Sequence, residues 1–309
     1  MKVLPILDAA EIGRLVPLVE AVAALRQAFA SSPTHAPRTH LTAPGAEFLV
    51  MPAAGPSAFG TKLVTIRTDN GLRNLPIIQG LYVLLDARDG QAVALLDGTA
   101  LTTLRTPAVS AVATDALARA DVRSVGILGT GPQAAAHPDA IRAVRPSIDT
   151  VVVAGRSPHR IDAIVAALRA DGFDARSGTF AAAASCDVVC ACTRSAAALF
   201  ELSDVQAGAH LNLVGSYRLD LREVGGDVVG EATVVVDEIG AAKAEAGDLA
   251  LAVEEGMWTW ERVAGDLSDV AAGRVRRTSQ EEITLFKSVG LAVQDLVVAE
   301  LAARKAGFL

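Results

Sequence analysis

Aromatic residues are scarce in this sequence. Phe, Trp and Tyr together make up 4% of its 309 residues, so Ala, Val and Leu must fill the interior. The chain also lacks a run of the ~20 uninterrupted apolar residues that a bilayer span needs. Its richest stretch, 106–120, is broken by Asp115 and Arg119. No signal-peptide pattern is legible at the start, because Pro5 and Asp8 interrupt any apolar segment. Basic residues are too few and too scattered to form a stripe: 28 Lys and Arg face 35 Asp and Glu, a net charge of −7. That balance counts against nucleic acid as the main partner. The three cysteines, Cys186, Cys190 and Cys192, lie close together, but the nearest histidine, His210, has no second histidine beside it. Metal-ligand spacing is therefore missing, and the cysteines read as small buried side chains in a reducing compartment. The expectation is a cytoplasmic protein with no membrane or nucleic-acid partner and no metal.

What is present points to two cores. A chain of this length that is 51% hydrophobic is long for one. Residues 8–30 carry Leu15, Leu18, Val19, Val22, Leu25 and Phe29 at helical spacing. Pro33, Pro37, Pro44, Pro52 and Pro56 then punctuate a region of short elements. Strands are expected at 48–51, 60–66, 80–85 and 91–96. The last two are joined by a loop ending in Asp89-Gly90, a step that favours a hairpin. The first part thus reads as a strand-rich unit with antiparallel connections. From a helix at 102–119 onward, strands and helices alternate. Strands are expected at 123–128, 150–154, 186–192, 210–214 and 232–236, and helices at 133–144, 158–170 and 240–256. All-apolar strands alternating with helices imply a parallel sheet covered on both faces. A last helix over 284–304 is apolar at Leu285, Val289, Ala292, Val293, Leu296 and Val297, and is expected to return to the first unit.

The most informative segment follows the strand at 123–128. Gly129-Thr130-Gly131-Pro132-Gln133-Ala134 opens a helix in the pattern Gly-x-Gly-x-x-Ala. The first glycine makes a tight turn, the second lets the backbone approach a pyrophosphate, and Ala134 allows helix to pack closely on sheet. The helix N-terminus offers free N–H groups to phosphate. A strand before, a helix after and a second strand at 150–154 give the motif the context a dinucleotide site requires. That second strand ends in Ala154-Gly155-Arg156-Ser157, with no acid to take a ribose 2′-hydroxyl. Arg156 and Ser157 suit a 2′-phosphate instead, so the expected cofactor is NADPH, with NADH as the alternative.

Three basic residues in the first part stand in poor settings for charge. Lys62 lies within a strand, Arg105 near the start of an apolar helix and Arg38 beyond the first helix. A buried cation is costly unless it meets an anion, and a substrate carboxylate would be such a partner.

Lys62-Leu-Val-Thr65, Asn74-Leu-Pro76, Leu96-Asp-Gly98, Leu101-Thr-Thr-Leu-Arg-Thr-Pro-Ala-Val-Ser-Ala111 and the glycine loop, taken together, resemble the ornithine cyclodeaminase/μ-crystallin family. So do Val214-Gly-Ser-Tyr-Arg-Leu-Asp-Leu-Arg-Glu223, Ala246-Gly-Asp-Leu249 and Phe286-Lys-Ser-Val-Gly290. The resemblance spans nearly the whole chain and is most specific around Arg105. It implies a homodimer in which a Rossmann-type, doubly wound parallel sheet, residues 117–289, is inserted in a strand-rich α+β substrate-binding and dimerisation domain, residues 1–116 plus 290–309. It also implies that Arg38, Lys62 and Arg105 hold a substrate carboxylate, and that Thr193 and Ser288 lie near the cofactor. Cyclodeaminases of the family carry an Asp after the glycines corresponding to Gly215-Ser216, where this chain has Tyr217; Asp220 belongs to an Arg-x-Asp-x-Arg-Glu pattern like that of μ-crystallin-type members. The departure favours the family's NADPH-dependent reductases of cyclic ketimine carboxylates, such as Δ1-pyrroline-2-carboxylate or Δ1-piperideine-2-carboxylate. There Lys62 or a bound water would supply the proton. The alternatives are an amino-acid dehydrogenase or cyclodeaminase-type lyase on the same scaffold, and a non-catalytic protein that binds NADPH and a small ligand.

Overall fold

A computed structural model describes residues 3–31, 34–73 and 75–309; Pro33 and Asn74 lie outside them. The chain divides into two compact units, Met1–Thr106 with Leu291–Leu309, and Pro107–Gly290.

The first unit begins with β1 (Ile6–Leu7), α1 (Ala9–Leu15) and α2 (Leu18–Ala30). The helix expected over 8–30 is thus two helices. Asp8 caps the first with its side chain, and Pro17, which has no N–H to donate, stands at the N-cap of the second. Strands β2 (Thr39–Ala43), β3 (Ala46–Ala54), β4 (Ala58–Ile66), β5 (Ile78–Asp86) and β6 (Ala92–Asp97) follow. They form a six-stranded sheet in the order β1-β6-β5-β4-β3-β2, antiparallel except for the parallel pair β1 and β6. The turn between β5 and β6 holds Gly90 at φ 74, where only glycine sits without strain. The C-terminal helix, Ala292–Lys305, packs on one face of this sheet and against α2.

The opposite face of the sheet is apolar. Register places Ile6, Leu95 and Val83 in one cross-strand row and Leu81, Leu63 and Val50 in the next. Several of these side chains stay open to solvent: Ile6 is 65% exposed, and Leu41 and Phe59 on the same face are 56% and 42% exposed.

Helix α3 (Gly98–Leu117) starts in the first unit and ends in the second. The second unit then runs β7 (Ser124–Leu128), α4 (Pro132–Val144), β8 (Thr150–Ala154), α5 (Pro158–Ala170), β9 (Asp174–Ser177), α6 (Phe180–Ala184), β10 (Val188–Ala191), β11 (His210–Leu213), α7 (Gly226–Glu231), β12 (Thr233–Val236), α8 (Ile239–Glu245), α9 (Gly247–Glu254), β13 (Val263–Asp266), α10 (Leu267–Ala271) and β14 (Thr284–Lys287). Eight parallel strands form one sheet in the order β13-β12-β14-β11-β10-β7-β8-β9. Its six inner strands are mostly apolar and buried on both faces, as a sheet covered by helices on both sides demands, while the edge strands β9 and β13 are partly exposed. The chain leaves β7 in one direction to β8 and β9 and returns beside it as β10. The reversal therefore lies between the carboxyl ends of β7 and β10, where doubly wound sheets bind ligands.

Two expectations fail here. Residues 240–256 form two helices that meet at Ala246. Residues 284–287 do not begin the last helix but form β14, in the middle of the parallel sheet. A four-residue strand buried on both faces has no period-2 alternation to show.

Candidate active site

In the first unit, the cations singled out in the sequence share a setting. Lys62 points from β4 to the buried face of the sheet, on the same side as Ala58, Val64 and Ile66. It is 3% exposed and Arg105 is 6% exposed. Arg105 is placed by the start of α3. Asp97 caps that helix, accepting from the N–H groups of Thr99 at 2.8 Å and Ala100 at 2.9 Å. Gly98 lets the helix start press on β5, for a Cβ there would come within 2.8 Å of the Gly80 backbone. The Leu96-Asp-Gly98 motif therefore fixes where the first turns of α3, and so Thr102 and Arg105, stand.

The two cations converge on a carboxylate of the chain itself, which sequence reasoning missed. Lys62 Nζ donates to Asp295 Oδ2 at 2.7 Å and to Thr102 Oγ1 at 3.1 Å. Arg105 Nε donates to Asp295 Oδ1 at 3.3 Å, and its Nη1 to Gln294 Oε1 at 2.7 Å. The anion that sequence analysis sought only in a substrate is thus partly supplied from the C-terminal helix. The signal was available, since Asp295 interrupts an apolar helix as Lys62 interrupts an apolar strand. One carboxylate does not neutralise two cations, however, and Arg38, half-buried before β2, is near enough to act on Lys62 electrostatically. The Lys62 pKa is lowered to about 8, chiefly by burial and further by Arg105 and Arg38, against the opposing pull of Asp295. Among the described residues, Arg105 Nη2 donates no hydrogen bond, and the buried Gln294 Nε2 has no partner.

In the second unit, the glycine loop has the geometry of a phosphate cradle. Gly129 ends β7 with φ 123, a backbone conformation that side chains resist, and a Cβ on it would stand 2.7 Å from the carbonyl oxygen of Cys192. Its N–H donates to Ala154 O at 2.9 Å, tying the loop to β8. Gly131 is the N-cap of α4 and Pro132 its first residue; no side chain caps the helix. A Cβ on Gly131 would meet nothing within 4 Å. Open space thus lies at the N-terminus of a 13-residue helix, beside Thr130 and Gln133 and with Ala134 buried, where the positive end of the helix favours an anion. These residues fit a dinucleotide pyrophosphate. Arg156 and Ser157 follow β8 directly, Ser157 as the N-cap of α5 with no side-chain cap bond. Arg156 is exposed and has no ion pair among the described residues.

Thr193 and Ser288 also lie just past carboxyl ends of parallel strands, and buried carboxylates hold both. Glu223 Oε1 accepts from Thr193 N at 2.6 Å and Thr193 Oγ1 at 2.9 Å, while its Oε2 accepts from Gly215 N at 2.9 Å. Asp248 accepts from Glu223 N at 2.5 Å and pairs with Lys287 at 2.8 Å. Burial pushes the Glu223 carboxyl up to about 7, against the pull of Lys287. Asp237 Oδ2 accepts from Ser288 Oγ at 2.9 Å and from the N–H groups of Val289 and Gly290. The sequence reading missed these three carboxylates as the groups that fix the loops after β10, β11 and β14.

Other candidates recede. His137 bonds Ser110 Oγ at 3.0 Å and Gln133 O at 2.7 Å, and burial lowers its pKa to about 4, so it is a neutral packing residue. Burial likewise raises the Cys186 and Cys190 thiols, to about 11 and about 12. No group of metal-ligating side chains occurs among the described residues. Tyr217 packs against the core, and Asp220 forms an exposed pair with Arg218 at 2.9 Å.

Residues 3–306 match the ornithine cyclodeaminase/mu-crystallin family. The chain belongs to that family. It is 35% identical to a Δ1-pyrroline-2-carboxylate reductase of Bacillus cereus over 260 residues, 82% of this chain and 79% of that one. It is 30% identical to an alanine dehydrogenase of Archaeoglobus fulgidus over 96% of this chain and 93% of that one. The solved structure of Thermococcus litoralis Δ1-pyrroline-2-carboxylate reductase with NADH and L-proline superposes with a TM-score of 0.94, at 28% identity, over 98% of this chain and 97% of that one. An archaeal alanine dehydrogenase dimer with bound NAD superposes at 0.93, at 30% identity, over 98% of this chain and 96% of that one. These relatives agree with the fold class expected from the sequence.

Proposed function

We propose that the protein is an NAD(P)H-dependent reductase of a cyclic imine bearing a carboxylate on the carbon to be reduced, Δ1-pyrroline-2-carboxylate or Δ1-piperideine-2-carboxylate, with the cyclic amino acid as product. Residues 129–134 hold the cofactor, which when bound supplies the hydride. Arg105, Lys62 and Arg38 grip the substrate carboxylate and so fix the adjacent imine carbon, an effect of proximity. Lys62, or a water beside it, provides the proton for the ring nitrogen. The observation that carries this reading is the surplus of buried positive charge around Lys62 and Arg105, which one substrate carboxylate would balance. The similarity to Δ1-pyrroline-2-carboxylate reductases supports the choice of imine. The alanine dehydrogenase relatives favour one rival, reductive amination of an open-chain keto acid. Oxidation of NAD(P)H with each cyclic imine, and with pyruvate plus ammonia, separates the two. Turnover confined to pyruvate plus ammonia would refute the cyclic-imine reading.

Preference for NADPH over NADH is a further part of this reading, resting on Arg156 and Ser157. Solved relatives hold NADH or NAD, so the scaffold also takes the unphosphorylated cofactor. A charge-assisted bond from Arg156 to a 2′-phosphate contributes about 1.5–3 kcal/mol. Arg156→Ala should therefore weaken NADPH roughly 10- to 100-fold and leave NADH unchanged, read from KM for each. An equal effect on both would remove Arg156 from the 2′-phosphate.

The protein acts as a homodimer in this reading, a second copy covering the open apolar face of the six-stranded sheet. Exposed apolar patches of this kind mark interfaces. Light scattering should give twice the chain mass, and Phe59→Asp should halve it. A monomeric native protein at micromolar concentration would rule this out.

A further inference from the structure

The clamp contains a group that cannot touch an anion favourably, Asp295. It is 0% exposed, and each of its oxygens serves one cation: Oδ2 takes Lys62 at 2.7 Å and Oδ1 takes Arg105 at 3.3 Å. The cations come from different elements, β4 and α3, and would repel each other without it. Its neighbour Gln294 grips Arg105 Nη1, so two adjacent residues of the C-terminal helix set the plane of the guanidinium. On the other side, Thr102 donates its hydroxyl hydrogen to Gly98 O at 2.8 Å, which turns its oxygen lone pairs toward Lys62. We propose that Asp295 is the positioning residue of the clamp: it fixes the separation of Lys62 and Arg105 and keeps Lys62 protonated, so that both cations present donors to a single substrate carboxylate. The inference rests on the proposed reading of Lys62 and Arg105 as carboxylate ligands.

Every group facing Lys62 bears on the sign of the effect. Asp295 approaches from the C-terminal helix, Arg105 and Thr102 from α3, Arg38 from the segment before β2, and Tyr82 across the strand pair from β5. Tyr82 remains a neutral phenol, since burial and then Asp295 and Glu300 raise its pKa. Of these groups only Asp295 brings a negative charge to the ammonium. Burial and two guanidinium groups oppose it. Without the Asp295 charge, Lys62 releases its proton at lower pH and the clamp loses one of its cations.

The test measures binding of pyrrole-2-carboxylate, a planar ring carboxylate, by calorimetry as a function of pH without cofactor. Imine reduction is followed in parallel. In the native protein, affinity should fall as pH rises through about 8. In Asp295→Asn that fall should begin roughly 1–3 pH units lower. Asp295→Glu keeps the charge but displaces it, so its affinity should drop while the fall stays near the native pH. NADH binding serves as the check that each variant folds. If Asp295→Asn is too unstable to measure, Asp295→Glu decides: a fall moved well below the native pH overturns the proposal. A fall in Asp295→Asn that coincides with the native one, at any affinity, also overturns it, because a merely structural role would lower affinity at every pH alike. Native protein that binds no ring carboxylate overturns both the inference and the clamp. Native protein that binds it with the expected pH profile but reduces no imine overturns the reductase reading and leaves the role of Asp295 intact.

Discussion

Arg105→Met is expected to lower kcat/KM for Δ1-pyrroline-2-carboxylate by roughly 30- to 5,000-fold, corresponding to about 2–5 kcal/mol for truncating one partner of a buried charge pair. The side chain contributes twice. Its guanidinium offers donors that no group among the described residues uses, and it occupies one oxygen of Asp295 and the side-chain amide oxygen of Gln294. Methionine fills comparable space but leaves Gln294 Oε1 unbonded in the interior and gives Asp295 to Lys62 alone. Most of the loss should appear in KM, because the carboxylate is gripped before and during the reaction alike. Arg105→Lys keeps the charge and loses the planar fork, so it should recover only part of the activity. Affinity for NADH, which the proposed function assigns to residues of the second unit, should not change. Steady-state kinetics with calorimetric NADH binding checks all three; a loss under about threefold would remove Arg105 from the carboxylate site.

The second large effect separates two glycines of the same loop, Gly129 and Gly131, that differ in role. Gly131→Ala should leave folding stability close to native, since its Cβ meets nothing within 4 Å. It should nonetheless weaken the dinucleotide severely, because that open space is where the pyrophosphate must lie close to the backbone. Gly129→Ala should damage both properties. Its φ of 123 and the carbonyl of Cys192 leave no room for a side chain, and backbone strain of this kind costs on the order of 1–3 kcal/mol before any clash is counted. Thermal unfolding together with NADH titration distinguishes the pair. Equal loss of stability in both variants would mean that Gly131 is needed for the turn rather than for a ligand.

Much of this arrangement was legible in the sequence, for identifiable reasons. The Gly129 loop could be read because Gly129 answers to a backbone geometry that favours glycine, because Gly131 leaves space for a ligand at the helix start, and because a strand and a helix flank the loop. The hairpin at Gly90 was legible on the same ground. Elements without a periodicity of their own were harder. Strand β14 is four residues long and buried on both faces, so its apolar residues merged with those of the following helix. The break between α1 and α2 was signalled by Pro17, but the hydrophobic spacing ran on across it. At the site, Lys62 and Arg105 stand out in the sequence as charges in apolar settings, and so does Asp295, but nothing local pairs it with cations some 190 and 233 residues away. Glu223, Asp237 and Asp248 were hidden differently. Their task is to accept backbone N–H groups from loops distant in sequence, and no local pattern announces which loops will meet.

Selection of an imine by its carboxylate, through a buried surplus of positive charge, is what distinguishes the proposed activity. It is tested most directly by comparing the native protein, with NADPH or NADH, on Δ1-pyrroline-2-carboxylate and on Δ1-pyrroline, the same ring without the carboxylate. The expected result is rapid cofactor oxidation with the first and loss of at least about three orders of magnitude in kcat/KM with the second, in line with the desolvated charges such a group must satisfy. Equal turnover of the two rings, or none with either Δ1-pyrroline-2-carboxylate or Δ1-piperideine-2-carboxylate while the cofactor still binds, would contradict it.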